Sequence, residues 1–133
     1  MSQENVEIAK RVVEAFNGRD AAAASELTTP DFEWFPAMAT SVEGGSYRGD
    51  EGIRRYLAEV NETWDELRLV VDEFRDLGDR VLMFGRIQGR GRGSGVPAEA
   101  ALSGIVDFRD RLIWRSRNYV DQGEALRAAG LTE

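Results

Sequence analysis

The sequence predicts an α+β fold. A curved antiparallel or mixed β-sheet wraps around three helices of the N-terminal half as a cone with an internal pocket, and a short helix ends the chain. Two observations carry this. Apolar residues recur at helical spacing in the first half, and extended runs separated by tight turns fill the second. Helices cluster early and hairpins late, which is not the alternation of a βαβ array.

Residues 3–17 read as a helix, with Val6, Ala9, Val12, Val13 and Phe16 on one face and Asn17-Gly18 as the stop. Asp20 caps a short Ala-rich helix over 21–27, which Thr28-Thr29-Pro30 breaks. Phe32, Trp34 and Phe35 mark a strand over 31–36 that ends at Pro36. Residues 37–48 read as a loop containing Gly44-Gly45. A third helix over 50–64 begins with acidic residues and carries Ile53, Tyr56, Leu57, Val60 and Trp64 on its apolar face.

Strands are expected over 67–77, 80–92, 96–109 and 112–120, with turns at Gly78-Asp79, Gly93-Ser94-Gly95 and Arg109-Asp110-Arg111. Asp121 then caps the terminal helix, with Glu124 placed as in a capping box and Gly130 as the stop. Residues 1–133 are read as one domain, without repeats or a linker.

Composition narrows the chemistry. The 133 residues are 42% hydrophobic and 31% charged, as in a soluble globular protein. No apolar run reaches the roughly 20 residues of a membrane span, and the acidic start lacks the pattern of a signal peptide, so the expected location is the cytoplasm. There is no cysteine, hence no disulfide or thiolate site. There is no histidine, which removes the commonest general base near neutral pH and the usual imidazole metal ligand. No metal or cofactor is expected. The net charge of −7 disfavours nucleic acid and anionic membrane as partners.

Several pieces of the chain, in order, resemble the SnoaL-like branch of the nuclear transport factor two-like, or cystatin-like, superfamily. They are Phe16-Asn17-Gly18-Arg19-Asp20, Phe32-Glu33-Trp34, Tyr47 to Ile53, Gly78-Asp79-Arg80-Val81, Ser94-Gly95, Phe108 to Ile113, Tyr119-Val120-Asp121 and Glu124-Ala125-Leu126. The resemblance implies a cone with an internal pocket, often dimeric. It covers polyketide cyclases, steroid isomerases, dehydratases, epoxide hydrolases and many non-catalytic binders, so it leaves function open.

The places where related enzymes keep their acids and bases can be followed onto this chain. The tyrosine and the two aspartates of the steroid isomerases fall on Val12, Phe35 and near Gly104. The histidine and aspartate of the cyclases fall near Gly104 and on Asn118. None is ionisable, so no isomerase activity is expected, and an asparagine cannot take a proton at neutral pH. An epoxide-hydrolase-like set would have to come from Asp107, Arg86 and Arg115 or Arg117.

Reading Arg109-Asp110-Arg111 as a three-residue turn pairs Phe108 with Leu112, Val106 with Trp114, Gly104 with Ser116 and Leu102 with Asn118. A two-residue turn would exchange the faces of the last strand. The expected pocket is then Trp34, Tyr56, Phe84, Val106, Trp114, Ser116 and Asn118, with Gly104 making room. Arg86 is a candidate if it faces in, where it could meet Glu33 or a carbonyl or anionic ligand; facing out, it is a solvated strand residue. Each aromatic taken singly is more often plain core than pocket wall. Tyr47 could pack a loop over the mouth.

The run Gly89 to Gly95 resembles an RGG segment, but it reads as a twisted hairpin arm rather than a nucleic-acid binder. The expected partners are a hydrophobic or aromatic small molecule and a second copy through the sheet face, with no nucleic acid and no membrane. A void of about 300 Å³ or more would favour ligand binding. A filled interior would favour a dimeric interaction module.

Overall fold

The computed structural model describes residues 2–37 and 46–131. The elements are α1 (Ser2–Asn17), α2 (Ala21–Glu26), β1 (Thr28–Phe35), β2 (Tyr47–Arg48), α3 (Gly49–Thr63), β3 (Trp64–Asp76), β4 (Arg80–Gly91), β5 (Pro97–Arg109), β6 (Leu112–Tyr119) and α4 (Gln122–Ala128). They form one six-stranded sheet in the order β2-β1-β6-β5-β4-β3. The sheet is mixed: β1 runs parallel to β6, and every other neighbouring pair is antiparallel.

Differences from the expected elements have local causes. The Gly44-Gly45 loop lies outside the described residues, and Tyr47–Arg48, expected in that loop, pairs as a strand with Glu33 and Trp34. β1 starts at Thr28 because Pro30 falls in the irregular stretch between Thr28 and Glu33, where register shifts and no ladder N–H is needed there. Trp64 belongs to β3 instead of the α3 face; its backbone turns extended at the helix end.

The Asn17-Gly18-Arg19-Asp20 piece ties the helices to the sheet edge. Asn17 donates through Nδ2 to the Leu69 carbonyl at 3.0 Å and accepts from the Leu69 N–H at 2.8 Å, occupying the outer edge of β3 as a strand would. Arg19, at φ 55, reaches the carbonyls of Phe16 and Leu67 at 2.7 Å each. Asp20 caps α2 by accepting from Ala23 N–H at 3.0 Å.

Both faces of the sheet bury apolar side chains. The concave face packs Leu67, Val81, Met83, Val106, Phe108 and Ile113 against Phe16 of α1 and Ile53, Leu57 and Val60 of α3. The convex face buries Leu82, Phe84 and Ile105 under Ala125 and Ala129 of the C-terminal segment. Asp121 caps α4 through the Gly123 N–H. The arm of β4 and β5 is held by its arginines: Arg92 pairs with Asp65 at 2.9 Å and donates to the carbonyls of Asn61 and Trp64. Among the described residues no helix is long and apolar enough to cross a membrane.

Candidate functional site

The turn between β5 and β6 decides which side chains reach the interior. Arg109 pairs with Leu112, so the turn has two residues, Asp110 and Arg111, both in the left-handed region at φ 53 and 67. That overturns the three-residue reading. A bulge follows: Phe108 pairs with Ile113 and Asp107 with Arg115, leaving Trp114 as the extra residue. The bulge reverses the alternation a second time. Ser116 and Asn118 therefore point inward after all, opposite Val106 and Gly104.

The concave face and the helices enclose a cavity of about 70 Å³. Val12, Val13 and Phe16 of α1 and Tyr56 of α3 form one side. Phe32, Trp34, Pro36 and Ala37 come from β1 and its end. Leu69, Met83, Ile87, Leu102, Val106, Ile113, Ser116 and Asn118 come from β3 to β6. The volume falls well short of the roughly 300 Å³ that encloses a drug-sized ligand. Trp34 and Tyr56, with ring centroids 4.6 Å apart, take up much of the interior together with Phe16, 5.8 Å from Trp34. Tyr47 is buried against Tyr56 at 5.0 Å and donates its hydroxyl to Glu59.

Of the expected pocket residues, Trp34, Tyr56, Val106, Ser116 and Asn118 line this cavity. Gly104 faces it from beneath Asn118: a Cβ there would lie 2.8 Å from Asn118 Oδ1. Three do not. Phe84 is on the convex face under α4, because Val81, Met83 and Ile87 take the concave positions of β4. Arg86 shares the convex face and is held by Asp72, at 2.7 and 2.9 Å, and by Glu99 at 3.1 Å. Trp114 is turned outward by the bulge and lies against the guanidinium groups of Arg109 and Arg115, 4.9 and 4.5 Å from its ring centre.

Asp107, Arg115 and Arg117 do converge, with Asp107 Oδ2 accepting from Arg115 Nε at 2.9 Å and Arg117 at 3.2 Å. They do so on the convex face, away from the cavity, and Arg86 is not among them. The α1 and β4 contributions to the wall, notably Met83 and Ile87, were missed. Alternation along β4 places Val81, Met83 and Ile87 on one face, but the apolar run leaves open which face that is.

The cavity is electrically quiet. Among the described residues no lining side chain is charged at neutral pH, and burial pushes the Tyr56 phenol further up, to about 12, with Tyr47 adding to the effect. Its hydroxyl stays protonated and can donate. At the opposite wall Asn118 donates through Nδ2 to the Phe35 carbonyl at 3.1 Å and to Ser116 Oγ at 3.3 Å. The arrangement can receive an uncharged, mostly apolar group and hydrogen-bond it. Val12, Phe35, Gly104 and Asn118 offer no acid or base of their own.

The SnoaL-like domain model matches residues 9–116. No curated protein matches the chain. Among solved structures, the chain is similar to TerC co-crystallised with polyporic acid, at 28% identity and a TM-score of 0.78, covering 96% of this chain and 97% of that one. It is similar to an NTF2-like protein of unknown function from Burkholderia pseudomallei K96243, at 23% identity and a TM-score of 0.78, covering 93% and 95%. A putative SnoaL-like polyketide cyclase from Jannaschia sp. CCS1 shares 22% identity at a TM-score of 0.76, covering 97% and 90%. The last two likenesses concern the fold. With the model match spanning most of the chain, this protein belongs to the SnoaL-like domain family.

Proposed function

We propose that the protein binds a compact, uncharged, mostly apolar molecule, or the apolar end of a longer one, in the concave-face cavity. The observation that carries this is a wall of apolar side chains, interrupted by Ser116, Asn118 and the neutral Tyr56 hydroxyl and by no charge. The relative TerC, co-crystallised with polyporic acid, supports a small organic ligand as the occupant of this fold. Catalysis, if a bound substrate undergoes it, falls to water and to positions other than those of the related enzymes.

Thermal denaturation with a panel of uncharged single-ring compounds tests the reading. At about a hundred times its dissociation constant, a ligand adds roughly 2.7 kcal/mol and raises the melting temperature by several degrees. Leu102→Trp, which fills the cavity from its half-buried wall, is expected to abolish the shift. No shift from any compound, or an undiminished one in Leu102→Trp, would refute the proposal.

A specific feature favours a second reading alongside it, a homodimer through the convex sheet face. There Trp114 lies against two arginines, and Arg117 Nε is, among the described residues, the buried side-chain polar atom without a hydrogen-bond partner. Tryptophan and arginine dominate association hot spots, and a second copy would cover this partly buried Trp114 and its arginines. Light scattering at micromolar concentration is expected to give a dimer, and Trp114→Glu a monomer. A monomeric parent chain would remove this reading.

A further inference from the structure

The ligand class of the cavity can be narrowed from the hydrogen-bond inventory of one corner, an inference that rests on the binding function proposed above. The Asn118 amide has one orientation: the group 3.1 Å from the Phe35 carbonyl must be the donor, because a carbonyl only accepts. Its second Nδ2 hydrogen goes to Ser116 Oγ. Both donors are thus spent within the protein. Among the described residues the Oδ1 atom receives no hydrogen bond, and it lies over Gly104 in space that any larger residue would fill. Ser116 Oγ accepts from Asn118, which leaves its own O–H free to donate.

The corner therefore presents one free acceptor and one free donor side by side, at the tip of a register in which Ser116 stands beside Trp34 and opposite Val106. Apart from the Tyr56 hydroxyl, the described residues that line the rest of the cavity are apolar. An anion entering here would lose its hydration and find no cation among the described lining residues. A hydrophobic group without a polar atom would leave the Asn118 acceptor desolvated and unmatched.

We propose that Asn118 and Ser116 act as specificity-determining residues that select a neutral ligand whose polar group both donates and accepts, such as an alcohol, a phenol or a primary carboxamide. A single hydroxyl satisfies both: its hydrogen goes to Asn118 Oδ1 while its oxygen accepts from Ser116. Carboxylates and phosphates are excluded from this corner.

Two pairs of single-ring probes that differ little in shape test this: phenol against toluene, and benzamide against benzoate, by calorimetry or NMR titration at neutral pH. Phenol is expected to bind roughly threefold to tenfold tighter than toluene, the worth of one net hydrogen bond, and benzamide at least about tenfold tighter than benzoate, whose charge would be desolvated without a partner. Asn118→Leu should bring phenol and toluene level while toluene affinity stays within about threefold. Should that variant fail to fold, Ser116→Ala, which removes only the hydroxyl, should cut the phenol preference at least threefold. Equal affinity for phenol and toluene, benzoate binding as well as benzamide, or a preference that survives the foldable variant would overturn the assignment while leaving the binding function intact. If none of the four probes binds, the binding function fails and this inference with it.

Discussion

Gly85→Ala is expected to cost about 3 kcal/mol or more and to break the pairing of β3 with β4. A Cβ at Gly85 would lie 2.0 Å from the Val70 carbonyl oxygen and 2.8 Å from Val71 Cα. Both are backbone atoms of the neighbouring strand, so no side chain can swing aside. The contact is tight because β3 bulges there: Val71 pairs with Gly85 and Glu73 with Phe84, leaving Asp72 as the extra residue. Urea denaturation of Gly85→Ala reads the loss, and Gly104→Ala is the control. At Gly104 the nearest obstacle is the Asn118 amide oxygen, the end of a side chain that can turn, so the global cost there should be much smaller. A Gly85→Ala loss below about 1 kcal/mol would show that the bulge yields freely.

Asp107→Ala is expected to cost about 2–3 kcal/mol, the range of hydrogen bonds to charged groups. The Asp107 side chain is 6% exposed and accepts from both Arg115 and Arg117. Removing it leaves two guanidinium groups without their shared counter-charge, next to an Arg117 Nε that already lacks a partner. The arginine side chains are 31% and 21% exposed, so water compensates part of the loss and the penalty stays below that of a fully buried pair. Asp107→Asn, which keeps an acceptor oxygen, should lose less than the alanine variant. A chemical-denaturation difference within about 0.5 kcal/mol of the parent chain for Asp107→Ala would rule out this structural role.

Much of the fold was legible because its signals are local. Helical spacing marks α1 and α3, Asp20 and Asp121 mark helix starts, and Gly78 and Gly130 adopt the positive φ that their turn positions require. The candidate site was legible in part. Trp34 and Tyr56 came from elements whose buried faces follow from periodicity. Phe84 did not, because the run Val81 to Phe84 is apolar at every position, and period two cannot say which residues face the helices when both faces are covered. The covering element on the convex side is α4, far away in sequence.

The sequence by itself determined the fold class, the order of its elements, and the absence of histidine and cysteine chemistry. These are properties of composition and of neighbours along the chain. The tertiary structure alone decided which residues meet. Two successive face reversals, a two-residue turn and then the bulge at Trp114, sent Trp114 outward and returned Ser116 and Asn118 inward. A bulge answers to strand pairing and leaves no fixed mark in the residues that form it. The cavity volume likewise depends on how Phe16, Trp34 and Tyr56 pack across three separate elements, and only their joint packing sets how little space remains.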